Sequence, residues 1–239
     1  MKRVLKVIQM VLTFIVLMGL YAFTNYRNER RMVTEIDLKF IGNDNLYTTY
    51  EAVNKMLIVK QKGAFKAPKD KVALSIIEQW LIEDPMLQNA TVYMTVDGAL
   101  RALLTQRTPE ARVVTDSVYY LDTRGKAMPL SEFHSARVPI ISGNLSELSL
   151  LDCHKIIEFV SQDVFLKKNI VGIRVRKDQD YVLLCRLDQF EVHLGAATAL
   201  QEKTSNFKAF YNKALKDNSL QGYSLVDVRF KNQVVATKK

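Results

Sequence analysis

The spacing of apolar positions changes along this chain, and each change marks a different kind of element. Residues 7–23 are apolar almost without interruption, broken by Gln9, Thr13 and Gly19, with Lys6 just outside and Tyr21 near the far margin. A helix needs about 20 such residues to cross a hydrocarbon core, so this run, with Lys6 snorkelling, is predicted to span a bilayer. Residues 35–40 then alternate polar and apolar, the period of a half-buried strand, and Gly42-Asn43-Asp44-Asn45 turns it. Thr48 and Glu51 have capping-box spacing ahead of Tyr50, Val53, Met56 and Leu57, which predicts a helix to about Val59. Asp70 is placed to cap a second helix carrying Val72, Ile76, Ile77, Trp80 and Leu81, stopped by Asp84-Pro85. At that spacing Trp80 is a core residue. Ala90, Val92, Met94 and Val96 alternate with polar neighbours, Asp97-Gly98 signals a two-residue turn, and Leu100, Ala102 and Leu104 alternate back.

The second half repeats the strand period more often. Residues 119–130 read as strand, turn and strand, with Gly125 supplying the permissive backbone. A helical pattern over residues 148–162, with Leu151, Ile156, Phe159 and Val160, precedes three strand-like runs at 170–176, 181–187 and 190–194. A long helix at about 197–215 carries Leu200, Phe207, Phe210, Tyr211 and Leu215. A strand-like segment then runs over 223–236, in which Val226, Val228 and Phe230 alternate with Asp227, Arg229 and Lys231. The predicted fold class is α+β: a single N-terminal transmembrane helix, a β-α-α-β-β domain, then a mainly antiparallel β domain with flanking helices. The predicted boundaries are a tail at 1–6, the span at 7–24, a linker at 25–32, the first domain at 33–112 and the second at 113–239.

Composition narrows the setting. With 48% hydrophobic and 25% charged residues and a net charge of +9, the part after the span is globular and basic. No Ala-x-Ala-like site follows the apolar run, which favours an anchor over a cleaved signal peptide. Arg27, Arg30 and Arg31 compete with Lys2, Arg3 and Lys6 in the charge count. Long downstream domains translocate largely regardless of charge, so the N-terminus is expected in the cytoplasm and the domains outside it. In that compartment the basic balance suits anionic lipid headgroups, wall polymers or an acidic partner surface better than nucleic acid. Cys153 and Cys185 both fall in apolar patterns, where a free thiol behaves as a small hydrophobe; a disulfide between them stays open.

Reactive groups do not converge in the sequence. The nine glycines form no phosphate loop, and no Gly-x-Ser-x-Gly elbow is present. His134, His154 and His193 are scattered, and adjacent Cys153 and His154 point about 100° apart on a helix with no third ligand at helical spacing. Glu83-Asp84 ends a helix, and Asp178 and Asp180 sit in a turn. No catalytic residue, cofactor, metal or small-molecule substrate is therefore expected.

Four segments carry a resemblance. The β-α-α-β-β order directly after a single span looks like a POTRA domain. Gln106-Arg107-Thr108-Pro109-Glu110-Ala111 resembles the Glu-Arg-x-Pro-x-Ala exit from that domain in the FtsQ/DivIB family of bacterial cell-division proteins, with Gln106 in place of Glu and a possible Glu–Arg pairing lost. Tyr120 to Pro129 resembles that family's Tyr-Leu-Asp-x-x-Gly-x-x-x-Pro hairpin, Val138 to Gly143 its Leu-Pro-x-Ile-x-Gly segment, and Val226 to Phe230 its Val-Asp-x-Arg-Phe/Tyr element. The resemblance implies a non-enzymatic scaffold of the divisome in the inner membrane at the septum. Its first domain would help recruitment, and its C-terminal strand and preceding helix would hold small coiled-coil division proteins of the FtsB and FtsL type. The expected partner-binding residues are Val226, Val228, Arg229, Phe230, Asn232 and Val234, acting by strand addition. Two other readings fit the anchored architecture: a wall-binding or chaperone-like POTRA module, and an anchored cell-wall hydrolase.

Overall fold

The computed structural model describes residues 2–29, 32–33, 36–42, 45–61, 67–68, 72–95, 97–186 and 190–239. The chain divides into two compact units, Met1–Gln106 and Arg107–Lys239. This division precedes the boundary expected at Arg112, because residues Pro109–Val114 form a strand of the second unit's sheet.

The first unit opens with α1 (Lys2–Glu29), a continuous helix that takes in most of the positions read as tail and linker. Its stretch Val4–Arg27 is long and apolar enough to cross a membrane. There follow β1 (Met32–Val33), β2 (Ile36–Ile41), α2 (Tyr50–Lys60), β3 (Ala67–Pro68), α3 (Leu74–Ile82), β4 (Leu87–Met94) and β5 (Leu100–Gln106). β1 and β3 pair with each other, while the other three strands form a sheet in the order β2-β5-β4, with β2 parallel and β4 antiparallel to β5. Alternate residues of these strands and one face of each of α2 and α3 close a core of Ile36, Leu38, Val53, Leu57, Ile77, Leu81, Val92, Leu100 and Leu104, with Trp80 partly buried against it.

Local chemistry moves two of the expected details. The cap of α2 is Thr49, whose side chain accepts from Ala52 N, one residue later than expected. Thr48 is buried instead, because Gln106 claims its backbone. The Gln106 Oε1 accepts from Tyr47 N at 2.8 Å and Thr48 N at 3.4 Å, while Nε2 donates to Thr48 O at 2.7 Å. An ionised Glu would accept but not donate, so the Gln in the exit motif is the residue that satisfies both sides of this bridge. The hairpin between β4 and β5 closes at Thr95, whose N donates to Ala99 O at 2.9 Å. The closing pair is therefore Thr95 with Ala99, wider than a two-residue Asp97-Gly98 turn requires, and Gly98 at φ +94 supplies a left-handed position within it. The expected Asp70 cap of α3, Glu35 and Val96 lie outside the described residues.

The second unit contains β6 (Pro109–Val114), β7 (Val118–Asp122), β8 (Ala127–Met128), β9 (Ile140–Gly143), α4 (Glu147–Ser161), α5 (Val164–Asn169), β10 (Ile170–Val175), β11 (Tyr181–Cys185), β12 (Glu191–Gly195), α6 (Leu200–Lys216), β13 (Tyr223–Asp227) and β14 (Val235–Lys238). The strands form one sheet in the order β14-β13-β12-β11-β10-β9-β6-β7-β8. Pairings β6/β9, β9/β10 and β12/β13 are parallel and the remainder antiparallel. Each parallel pair needs a crossover, and α6 supplies the one before β13. α6 packs by aromatic contacts: Phe207 lies 6.4 Å from Phe190, Tyr211 lies 5.0 Å from Phe165, and Phe210 meets Tyr223 edge-on at 5.2 Å. The Lys208 ammonium pairs with Asp163, the cap of α5, a short helix absent from the sequence reading.

Cys153 is fully buried in this unit's core, Cys185 is partly buried, and no disulfide joins them. Burial first, and then the neighbouring Asp152, push the Cys153 thiol up to about 12, which keeps it protonated and unreactive at neutral pH. Replacing both cysteines with Ala should lower stability by about 1–2 kcal/mol, the scale of a small buried truncation. A thiol reagent at neutral pH should label Cys153 only after denaturation. Rapid labelling in the folded chain would show that the site is reactive.

Candidate functional site

The C-terminal segment is a hairpin, not one strand. β13 stops at Asp227, residues 228–234 turn, and β14 returns antiparallel, pairing Val226 with Ala236 and Leu225 with Thr237. The alternation that predicts a strand through Phe230 is overridden by a local bond: Asp227 Oδ1 accepts from Arg229 N at 3.0 Å, offering the backbone a turn in place of the ladder. Asn232, at φ +56, takes a left-handed position that Asn tolerates better than most residues.

This geometry sorts the expected binding residues. Val226 and Val228 are core residues with essentially no exposure, so neither presents a side chain to a partner. Phe230 is 48% exposed, Asn232 is exposed and Val234 packs partly on the core. Arg229, its side chain 45% exposed, is paired with Asp227: its Nη2 lies 2.7 Å and its Nε 3.1 Å from Asp227 Oδ2. Burial works against an ionised Asp227, yet the side-chain and backbone hydrogen bonds from Arg229 hold its carboxyl below the ordinary value. Behind this pair sits buried His193, with Nε2 2.7 Å from Asp180 Oδ2 and Nδ1 3.7 Å from Asp227 Oδ2.

The sheet has two edges, and they differ. β8 is two residues long and runs into Pro129, both devices that blunt an edge. β14 is four residues long without proline, and among the described residues it pairs with β13 on one side only. Val235–Lys238 lies wholly beyond the six binding residues expected from sequence. The signal for it was the turn chemistry of Asp227 and Asn232, which splits the segment in two.

Elsewhere the ionisable groups stay dispersed. His154 Nε2 lies 3.6 Å from Glu110 Oε2 and 3.3 Å from Thr123 O, beside a groove of about 330 Å³ between α4 and the β7–β8 hairpin. Among the described residues no three or more His, Cys, Asp and Glu side chains are grouped to hold a metal ion.

The class defined by these observations is an α+β protein with an N-terminal apolar helix, a small β-α-α-β-β unit and a long sheet ending in an edge hairpin. Residues 108–237, more than half of the chain, match the family described as FtsQ/DivIB, C-terminal related, and the chain belongs to that family. Membership gives it a role in bacterial cell division. No curated protein matches the chain in sequence. Among solved structures, the chain is similar to the major extracytoplasmic domain of the trans isomer of the cell division protein DivIB from Geobacillus stearothermophilus. The identity is 13% over 47% of this chain and 96% of that one, with a TM-score of 0.34.

Proposed function

We propose that this chain is a non-enzymatic, membrane-anchored scaffold of the divisome, joining early and late septum-assembly proteins through extracytoplasmic contacts. In this reading α1 spans the inner membrane with the N-terminus in the cytoplasm, and the rest of the first unit and the whole second unit lie outside at the septum. The first unit, including its POTRA-like elements, assists recruitment. β14 holds small coiled-coil division proteins of the FtsB and FtsL type by adding a partner strand to the sheet. The observation that carries the reading is this unblunted edge strand, reached through a turn that exposes Phe230. Backbone N–H and C=O groups on the outer side of β14 would supply part of the affinity, and the aromatic ring would supply an anchor.

The test is capture of a co-expressed FtsB-type protein by the full chain and by a chain ending at Val234. Cutting before Tyr223 would remove β13 and its buried Val226, so the shorter deletion is the cleaner variant. The chain ending at Val234 is expected to insert normally and lose capture; equal recovery of the partner would rule β14 out. Topology is checked separately with a C-terminal reporter active only outside the cytoplasm. A reporter active only in the cytoplasm would reverse the assigned orientation.

A further inference from the structure

Arg229 has the composition of an interface hot spot, yet its surroundings give it other work. Its stem lies across the backbone of Gly195, the last residue of β12, which holds φ at +68. A Cβ added to Gly195 would come within 2.7 Å of Arg229 Cγ and 2.8 Å of Cδ, so glycine is required twice, for the left-handed backbone and for the seat. The guanidinium forks onto Asp227 in β13. Asp227 faces His193 in β12, and His193 bonds Asp180 in the turn before β11. Lys203, in the first turn of α6, donates to Ala196 O at 2.7 Å and fixes the segment that leaves Gly195. The Arg229 Cζ also sits 5.9 Å from the centroid of the Phe230 ring, so the residue that closes this chain of contacts orients the exposed aromatic as well.

We propose that Arg229 is a positioning residue: seated on Gly195 and tied through Asp227 and His193 to Asp180, it fixes the turn that carries Phe230 and β14 in the geometry a partner strand docks on. The docking half of this statement rests on the scaffold reading above; the positioning half does not. An ordered edge loses less conformational freedom on association than a mobile one, so its preorganisation adds to affinity without a contact being made. Lys in place of Arg keeps the charge but loses the planar fork, and Ala at Gly195 strains the backbone and displaces the stem.

The experiment is backbone amide exchange on the full chain in detergent, for Gly195→Ala and Arg229→Lys beside the parent, with capture of a co-expressed FtsB-type protein on the same preparations. Exchange over residues 229–238 is expected to quicken about tenfold in both variants, the equivalent of one factor of 1.4 kcal/mol, with β10 and β11 unchanged. Capture should weaken by a similar factor. Unaltered exchange over 229–238 in both variants overturns the proposal, whatever capture does. Faster exchange across the whole sheet also overturns it, because the residues would then serve the core as a whole. Local loosening with full capture supports the positioning role and rejects β14 as the docking edge.

Discussion

Replacing Asp122 with Ala is expected to destabilise the second unit by about 3–5 kcal/mol, the range for removing one partner from a buried ion pair. The carboxylate is fully buried and every ligand it has is a donor. Arg107 Nη1 lies 2.8 Å from Oδ2, while Arg124 N at 2.9 Å and Lys126 N at 2.8 Å donate to Oδ1. Ala would leave a largely buried guanidinium and two turn amides without their anion, and each unmet group carries its own desolvation cost. Asp122 also holds the β7–β8 turn through its backbone, accepting from Gly125 N at 2.8 Å and donating to Lys126 O at 2.9 Å. Asn, which keeps an acceptor but loses the charge, should cost roughly half as much. Arg107→Met with Asp122→Ala should recover part of the loss, because the cation that faced this carboxylate is removed with it. Thermal melting of the full chain in detergent decides the matter: a change under about 1 kcal/mol for Asp122→Ala would mean that the pair is not structural.

That ion pair shows what the sequence made legible and what it did not. Arg107 and Asp122 each lie in a family-like motif, and both motifs read as turns or exits from strands. Their meeting depends on the β6–β7 register, which pairs Pro109 with Asp122, and no local period reports a register. The same holds for the parallel pairings: β10 reads as a strand from its own pattern while β6 and β9 fall inside family-like motifs, and the adjacency of the three comes from the crossovers between them. Gln106 looked like a lost pairing with Arg107. It is a carboxamide bridge to Tyr47 and Thr48, almost sixty residues away in sequence. At the C-terminus the alternation was real as far as Val228 and failed at Phe230, because hydrophobic period carries no term for the Asp227–Arg229 bond or for a left-handed Asn232. Of the binding set expected from sequence, Val226 and Val228 are core, Arg229 pairs with Asp227, Phe230 and Asn232 are exposed, and the last strand begins beyond the set at Val235.

Proline at Ala236 and proline at Thr237 should fail in opposite ways. In an antiparallel strand successive residues turn their N–H and C=O groups to opposite sides. Lys239 N donates to Gly222 O at 2.9 Å, so by this alternation the odd-numbered residues here face β13 and Ala236 faces outward. Proline removes the N–H and fills its place with a ring, a change that edge strands tolerate only on their open side. Thr237→Pro therefore breaks a ladder bond within the hairpin and should lower its stability by about 1–3 kcal/mol. Ala236→Pro leaves the ladder intact but blocks the donor that a partner strand would use. If β14 is the docking edge, Ala236→Pro melts within about 0.5 kcal/mol of the parent and yet loses capture of the FtsB-type protein. Phe230→Ala, which removes a half-exposed aromatic anchor, should weaken capture about thirtyfold, the effect of a hot spot worth about 2 kcal/mol. Circular dichroism melts and co-purification on the same preparations separate the cases: a folded Ala236→Pro chain that still captures its partner in full would place the docking surface elsewhere on the molecule.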